Sequence, residues 1–159
     1  CNMYIMHMET GKKVEATVSK LDKSHIVEIN KTRRFDFNWN KEKNFPVYAL
    51  YSDGNDQPLG LMSLNNRVND YAIEIRLLAS SKENIGRNKR FGGIAGCLIA
   101  FACLEAFKAG YGGYVCLKSK TELKQYYRES YGMISTKLYL ITEGQNSLQL
   151  IKKYYENEN

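Results

Sequence analysis

No apolar run in this chain approaches the ~20 residues that a bilayer-spanning helix requires, which argues against a membrane protein. The four cysteines, Cys1, Cys97, Cys103 and Cys116, form no C-x-x-C pair, and histidine is limited to His7 and His25. Neither a zinc site nor a disulfide framework is indicated, and no metal is expected. Cys97 and Cys103 fall in an apolar helical stretch and Cys116 in an apolar strand, as expected of free thiols in the reducing cytoplasm. No signal segment is visible, so Cys1 is read as a boundary of the sequence rather than a lipidated terminus. No run of five basic residues, internal repeat or low-complexity tract occurs.

What is present is the material of one domain. The length of 159 residues, with 43% hydrophobic and 25% charged residues, fits a single globular domain spanning 1–159. The net charge of +6 and pI near 9.1 point to an anionic partner: nucleic acid, a membrane surface or a phosphorylated cofactor. Placement favours the cofactor, because Lys82, Arg87, Lys89 and Arg90 crowd the stretch ahead of a glycine-rich turn. Solvation of a basic loop would explain the same charges.

Periodicity supplies the elements. The Met3, Met6, His7, Met8 cluster reads as alternation in an N-terminal strand rather than a soft-metal site. Residues 12–20 alternate weakly as a strand, and 21–45 form a polar, basic stretch with isolated aromatics and no clear element. VYALYS, a DGND turn and PLGLMSL outline an antiparallel hairpin. YAIEIRLLA alternates, with Tyr71, Ile73, Ile75 and Leu77 on one face and Glu74, Arg76 and Leu78 on the other. A long, mostly buried helix opens near Gly92 or Gly93 and ends at AGYGG. YVCL is an interior strand; Ser119 and Glu122 form a capping box for a helix through TELKQYYRES that stops at Gly132. STKLYLIT alternates as a last strand, and NSLQLIKKYY forms a terminal helix. The order predicts an α/β fold with a mixed, mostly antiparallel twisted sheet flanked by helices.

A helix with a glycine-rich first turn offers unpaired N–H groups and the positive end of its dipole to phosphate. Gly92, Gly93 and Gly96 let an anion approach the backbone. The order G-G-x-x-G is neither a Walker turn nor G-x-G-x-x-G.

Arg90-Phe91-Gly92-Gly93-Ile94-Ala95 resembles the [QR]-x-x-G-x-[GA] coenzyme A signature of the GNAT acetyltransferases. YVCLKSKTELKQYYRESYGM is similar to that family's last motif, N-x-x-A-x-x-x-Y-x-x-x-G-F. The resemblance spans about residues 46–140 and is closest over 71–133. It departs from the pattern where Lys120 replaces Asn, where Leu123 replaces Ala, and where one more residue separates Tyr127 from Gly132.

The resemblance implies an N-acetyltransferase that moves an acetyl group from acetyl-CoA to a primary amine by direct attack. It implies that the main chain of Leu77, Leu78 and Ala79 holds the pantetheine arm. The amides from Arg90 through Phe91, Gly92, Gly93, Ile94 and Ala95 to Gly96 would hold the pyrophosphate. Arg87 and Lys89 would reach outlying phosphates, and Lys120 joins the cofactor-binding set. Glu74 is the candidate general base, with a surface ion pair to Arg76 or a cross-strand Lys as its structural alternative. Tyr127 is the candidate acid for the coenzyme A sulfur, with Tyr126 competing; packing of the helix onto the sheet is the alternative for Tyr127. No histidine lies near Ser119 or Thr121 to make either a nucleophile.

Two other functions stay open: a basic, tyrosine-rich nucleic-acid-binding module, and a coenzyme-A-binding relative without catalysis. An aminoacyl-tRNA acceptor would combine the enzyme and RNA readings. Any self-association is expected to give a closed homodimer.

Overall fold

The computed structural model describes residues 2–155; Cys1, and the reading of it as a sequence boundary, lie outside them. A nine-stranded sheet organises the chain. In chain order the strands are β1 Met3–His7, β2 Lys13–Lys20, β3 Val47–Ser52, β4 Gly60–Arg67, β5 Ala72–Ser80, β6 Phe91–Gly92, β7 Val115–Leu117, β8 Ile134–Ser135 and β9 Leu140–Thr142. Their spatial order is β6-β1-β2-β3-β4-β5-β7-β9-β8. Every pairing is antiparallel except β5 with β7. The expected mixed, mostly antiparallel sheet is what the chain forms.

Helices cover both faces. Helix α1, Lys23–Lys31, lies inside the stretch that showed no clear element. Asp22 caps it by accepting the His25 amide at 2.9 Å. Ile26 packs with Phe35, Trp39, Val47, Ala49 and Leu61 on one face of the sheet. The isolated aromatics of this segment are therefore its anchors. On the other face lies α2, Ile94–Lys108, with Cys97, Leu98, Ile99 and Cys103 fully buried. It is apolar all round because α4, Gly144–Tyr154, covers the side that the sheet leaves free. Helix α3, Lys124–Tyr131, ends at Gly132 in the left-handed conformation, as expected of a C-terminal glycine.

Three sequence expectations need correction. The alternation of β5 breaks at Arg76: Ile75 pairs with Leu64 and Leu77 with the next residue, Ser63, so Arg76 is the extra residue of a β-bulge. Leu77 therefore joins the α1 side and Leu78 the α2 side, the reverse of strict alternation. The Ser119 capping box does not form, because a 3₁₀ turn over Thr121–Leu123 intervenes. The Ser119 hydroxyl donates instead to the Lys120 carbonyl. STKLYLIT is the hairpin β8–β9 rather than one strand. The Thr136 side chain folds onto the backbone of Tyr139, accepting its N–H at 3.1 Å and donating to its carbonyl at 2.8 Å, a local alternative to the ladder.

The bulge is held by a buried carboxylate. Glu42 is 5% exposed, receives Arg76 Nε at 2.9 Å and Ser63 Oγ at 2.8 Å, and Arg76 lies over the Phe45 ring at 3.8 Å. Burial alone would raise the Glu42 carboxyl; the bonds from Arg76 and Ser63 outweigh it and hold the group below the usual carboxylate value. A depressed folded-state value means stability present above the unfolded carboxyl pKa of about 4.3 and lost as pH falls through the folded one. Glu42→Ala, which strands Arg76 at the bulge, is expected to cost about 2 kcal/mol in urea unfolding at pH 7. Glu42→Gln should flatten the loss of stability between pH 5 and 3, read by thermal unfolding across that range on the ~1 unit scale of one carboxyl titration.

Candidate functional site

Strand β5 has two kinds of edge. Toward β7 it pairs only over Ile73–Ile75, with Val115, Cys116 and Leu117. Beyond Ile75 it runs on to Ser80 with β4 alone, while the chain after Leu117 leaves the sheet through Lys118–Lys120. Among the described residues, the backbone from Arg76 to Ser80 has no strand partner on the β7 side. Leu77, Leu78 and Ala79 are half-buried there, although they lie mid-sheet. An open wedge in a sheet interior offers alternating N–H and C=O groups to an extended ligand.

Helix α2 begins beside this wedge. Gly93 caps it with φ +93°, a conformation that side-chain-bearing residues rarely adopt. The first helical bond runs from the Cys97 amide to the Gly93 carbonyl at 2.9 Å, so the Ile94, Ala95 and Gly96 amides precede the helical ladder. Close approach of the helix needs a second glycine: a Cβ on Gly60 of β4 would lie 2.6 Å from Ile94 Cγ2 and 2.9 Å from Leu98 Cδ1. The Phe91 amide is already committed to Asn84 Oδ1 at 3.0 Å, and the Arg90 carbonyl accepts the Met8 amide. The amides left without a backbone partner among the described residues are thus those from Gly93 to Gly96. Gly96 is closed on its other side, because a Cβ there would overlap the Tyr154 ring of α4.

The cations stand just outside. Arg87, Lys89 and Arg90 line a cavity of roughly 370 Å³ against His7, Met8 and Glu9 at the end of β1. Arg87 and Arg90 are exposed and Lys89 is half-buried. Lys120 is exposed across the wedge, at the start of the Thr121–Leu123 turn.

Glu74 pairs across the sheet with Asn65 and Cys116, one residue short of the point where the wedge opens. Its carboxylate receives Asn65 Nδ2 at 3.3 Å. Arg76, the ion-pair partner that the sequence offered for it, binds Glu42 instead. Beyond Glu74 on the same face lies a smaller cavity of roughly 210 Å³, bounded by Arg67, Asp70, Tyr114, Cys116 and Tyr139. Arg67 there is held by Asp70 at 2.7 Å and by the Tyr139 hydroxyl at 2.6 Å.

Tyr126 and Tyr127 stand on α3 in a cluster of three tyrosines with Tyr131. Tyr127 packs into the main core with ring centroids 5.7 Å from Tyr126 and 5.9 Å from Tyr131. Burial, and then the neighbouring Tyr126, raise its hydroxyl above the usual tyrosine value. Tyr126 is 50% exposed and its hydroxyl meets that of Tyr131 at 3.3 Å. Burial pushes Tyr154 up to about 12. The thiols of Cys97, Cys103 and Cys116 are also raised, to about 12, 11 and 11, chiefly by burial, so all three stay protonated at neutral pH.

Sequence reasoning missed Glu42, Asn84 and Tyr154. Glu42 and Asn84 sit in polar stretches where no periodicity distinguishes a buried side chain from a solvated one. Tyr154 lay in a helix that was anticipated, but its contact with Gly96 is tertiary.

No family model matches the chain, and no curated protein is similar to it in sequence. Its fold is found among solved structures. A chain of the AtaT–AtaR complex bound to DNA superposes with TM-score 0.61 at 17% identity, covering 86% of this chain and 99% of that one. YncA from Salmonella typhimurium, solved with its cofactor acetyl-CoA, gives 0.55 at 12% identity over 80% and 93%. YhhK from E. coli, solved bound to coenzyme A, gives 0.53 at 11% identity over 84% and 100%. The chain has the GNAT acetyltransferase fold. No helix among its described residues is long and apolar enough to cross a membrane.

The contact between Gly96 and Tyr154 is directly testable. Gly96→Ala is expected to lower stability by about 2 kcal/mol through overpacking, measured by urea unfolding. In a Tyr154→Ala background the same substitution should cost less than about 0.5 kcal/mol, because the clashing ring is gone.

Proposed function

We propose that this chain is an acyl-CoA-dependent N-acyltransferase that transfers an acetyl group from acetyl-CoA to a primary amine. The observation that carries the reading is the conjunction of the open β5 edge with the unpartnered amides of Gly93–Gly96. One groove thus offers strand-like hydrogen bonding to a pantetheine arm and an anion-binding helix start to a pyrophosphate. The donor set fits coenzyme A: backbone amides for the diphosphate, main chain of Leu77, Leu78 and Ala79 for the amides of the arm, and Arg87, Lys89 and Arg90 for outlying phosphate. Phe91 and Gly92 shape the turn, and Lys120 adds positive charge on the opposite lip of the wedge. The solved structures with acetyl-CoA or coenzyme A bound, YncA and YhhK, share the fold and support the choice of ligand. The whole chain would act as one catalytic domain.

Acetyl-CoA would supply the acyl group as a thioester. The amine must be neutral to attack the thioester carbon, and Glu74, at the end of the paired part of β5, takes its proton directly or through water. The carbon–nitrogen bond forms, the carbon–sulfur bond breaks, and the sulfur leaves with the electron pair. Tyr127 donates a proton to that sulfur; its raised hydroxyl keeps the acid form at neutral pH. Tyr126, more exposed and already engaged with Tyr131, is the rival for the role. With no activated side-chain nucleophile at the wedge, transfer is direct. Catalysis by proton transfer accounts for factors of about 10² to 10⁴ per group.

An acceptor amine carried on RNA is the second reading. It is favoured by the net charge of +6 and by likeness to AtaT, solved with acetyl-methionyl-tRNAfMet at TM-score 0.51 and 14% identity. An RNA-borne acceptor would show a steep fall of affinity with salt.

Calorimetric titration with acetyl-CoA should give saturable one-to-one binding by the native chain and none by Gly93→Glu, whose carboxylate repels the diphosphate. Native chain that does not bind would sink the proposal. Once an acceptor is found, Tyr127→Phe should lose about 10²-fold or more in kcat; a loss confined to Tyr126→Phe would move the acid to that residue.

A further inference from the structure

The loop between β5 and the glycine turn contains a chain of polar contacts that continues past the cofactor groove to the opposite face of the sheet. It begins at the Phe91 amide, which donates to Asn84 Oδ1 at 3.0 Å. Asn84 is 5% exposed, and its Nδ2 donates to Ser81 Oγ at 2.8 Å. Ser81, fully buried, in turn donates to Glu83 Oε2 at 2.9 Å. The same carboxylate oxygen receives Arg34 NH2 at 2.7 Å. Arg34 NH1 donates to the Pro58 carbonyl at 2.8 Å, and the Arg34 carbonyl accepts the Lys82 amide.

The ends of this chain lie in different layers. Phe91 packs with the α2 core, whereas Phe35, next to Arg34, belongs to the α1 core with Ile26 and Trp39. Ser81 follows the last residue of β5, and its amide is fixed to the Leu59 carbonyl. The contacts therefore turn around the end of β5, from the segment after α1 to the turn that opens α2. Every polar atom along the buried part has a partner, so removing one link leaves a buried donor or acceptor unpaired, and the loop must shift to satisfy it.

We propose that Asn84 is the positioning residue of the phosphate-binding turn, and that Arg34, through Glu83 and Ser81, ties the α1 side of the sheet to the setting of that turn. Asn84 does not touch the ligand; it holds Phe91 so that the next amides, from Gly93 to Gly96, face outward together. A group bound on the α1 side that orders or displaces Arg34 would therefore alter affinity for coenzyme A, and coenzyme A would alter affinity for that group by the same factor. The inference rests on reading the glycine turn as the coenzyme A diphosphate site.

The test uses the full chain and coenzyme A as the probe, with amide hydrogen exchange beside it. Asn84→Ala is expected to raise the Kd for coenzyme A about tenfold, the size of one lost buried hydrogen bond. It should also speed exchange at Phe91, whose amide loses its acceptor, while amides of β4 at Leu61–Leu64 keep native protection. Arg34→Met, on the far face, should raise Kd about threefold, and less than that when added to Asn84→Ala, because the two act along one path. Unchanged Kd and unchanged exchange at the turn in folded Asn84→Ala would overturn the assignment. Additive effects of the two substitutions would overturn the coupling. Loss of protection throughout β4 as well would reduce Asn84 to a general structural role and overturn its positioning one. Failure of the native chain to bind coenzyme A would remove the ligand, but exchange at Phe91 would still decide whether Asn84 sets the turn.

Discussion

Beyond Ile75, β5 has a partner on one side only among the described residues, and the arrangement of the candidate site follows from that. Parallel pairing with β7 lasts from Ile73 to Ile75 and then stops. A strand inside a sheet normally satisfies its backbone on both edges; here the outer edge of Arg76–Ser80 is turned to a wedge. The bulge at Arg76 lies where the wedge opens. It places Arg76 and Leu77 toward α1 and Leu78 toward α2, so side chains of both layers reach the opening.

What holds the wedge open is supplied from both faces. On the α1 side, Glu42 holds Arg76 at the bulge, in contact with Ser63 on β4. On the α2 side, Gly60 allows Ile94 and Leu98 to seat close to the sheet, and the amides of the first helical turn arrive at the end of β5. Tyr154 packs against that turn at Gly96, where a Cβ would overlap its ring. The helix dipole and its unpaired amides favour negative charge there before any side chain is counted. Arg87, Lys89 and Arg90 extend the positive region toward β1.

The sheet and most of the helices were legible because their signals are local. VYALYS and PLGLMSL flank a polar DGND turn, the glycines at 110, 112 and 113 stop α2, and Gly132 stops α3. The glycine turn that opens α2 was legible because glycine order and a following apolar helix are both written in adjacent residues. What was not legible depends on contacts distant in sequence. The bulge at Arg76 is stabilised by Glu42, which lies 34 residues earlier, so nothing in YAIEIRLLA itself announces it. Helix α1 has only Ile26 fully buried, too little to draw an apolar stripe through a polar segment. The Ser119 capping box satisfied the local rule, yet the chain places a 3₁₀ turn first and the hydroxyl donates to the Lys120 carbonyl instead.

The central claim is that coenzyme A lies along the open edge of β5 with its diphosphate on the start of α2. Titrating the isotopically labelled chain with coenzyme A while following backbone amide resonances tests it residue by residue. The account predicts that the largest shifts fall on Leu77–Ala79 and Gly93–Gly96, with smaller ones at Arg87 and Lys89. Shifts confined to the cavity around Arg67, Tyr114 and Tyr139, with the amides of Gly93–Gly96 unmoved, would contradict it.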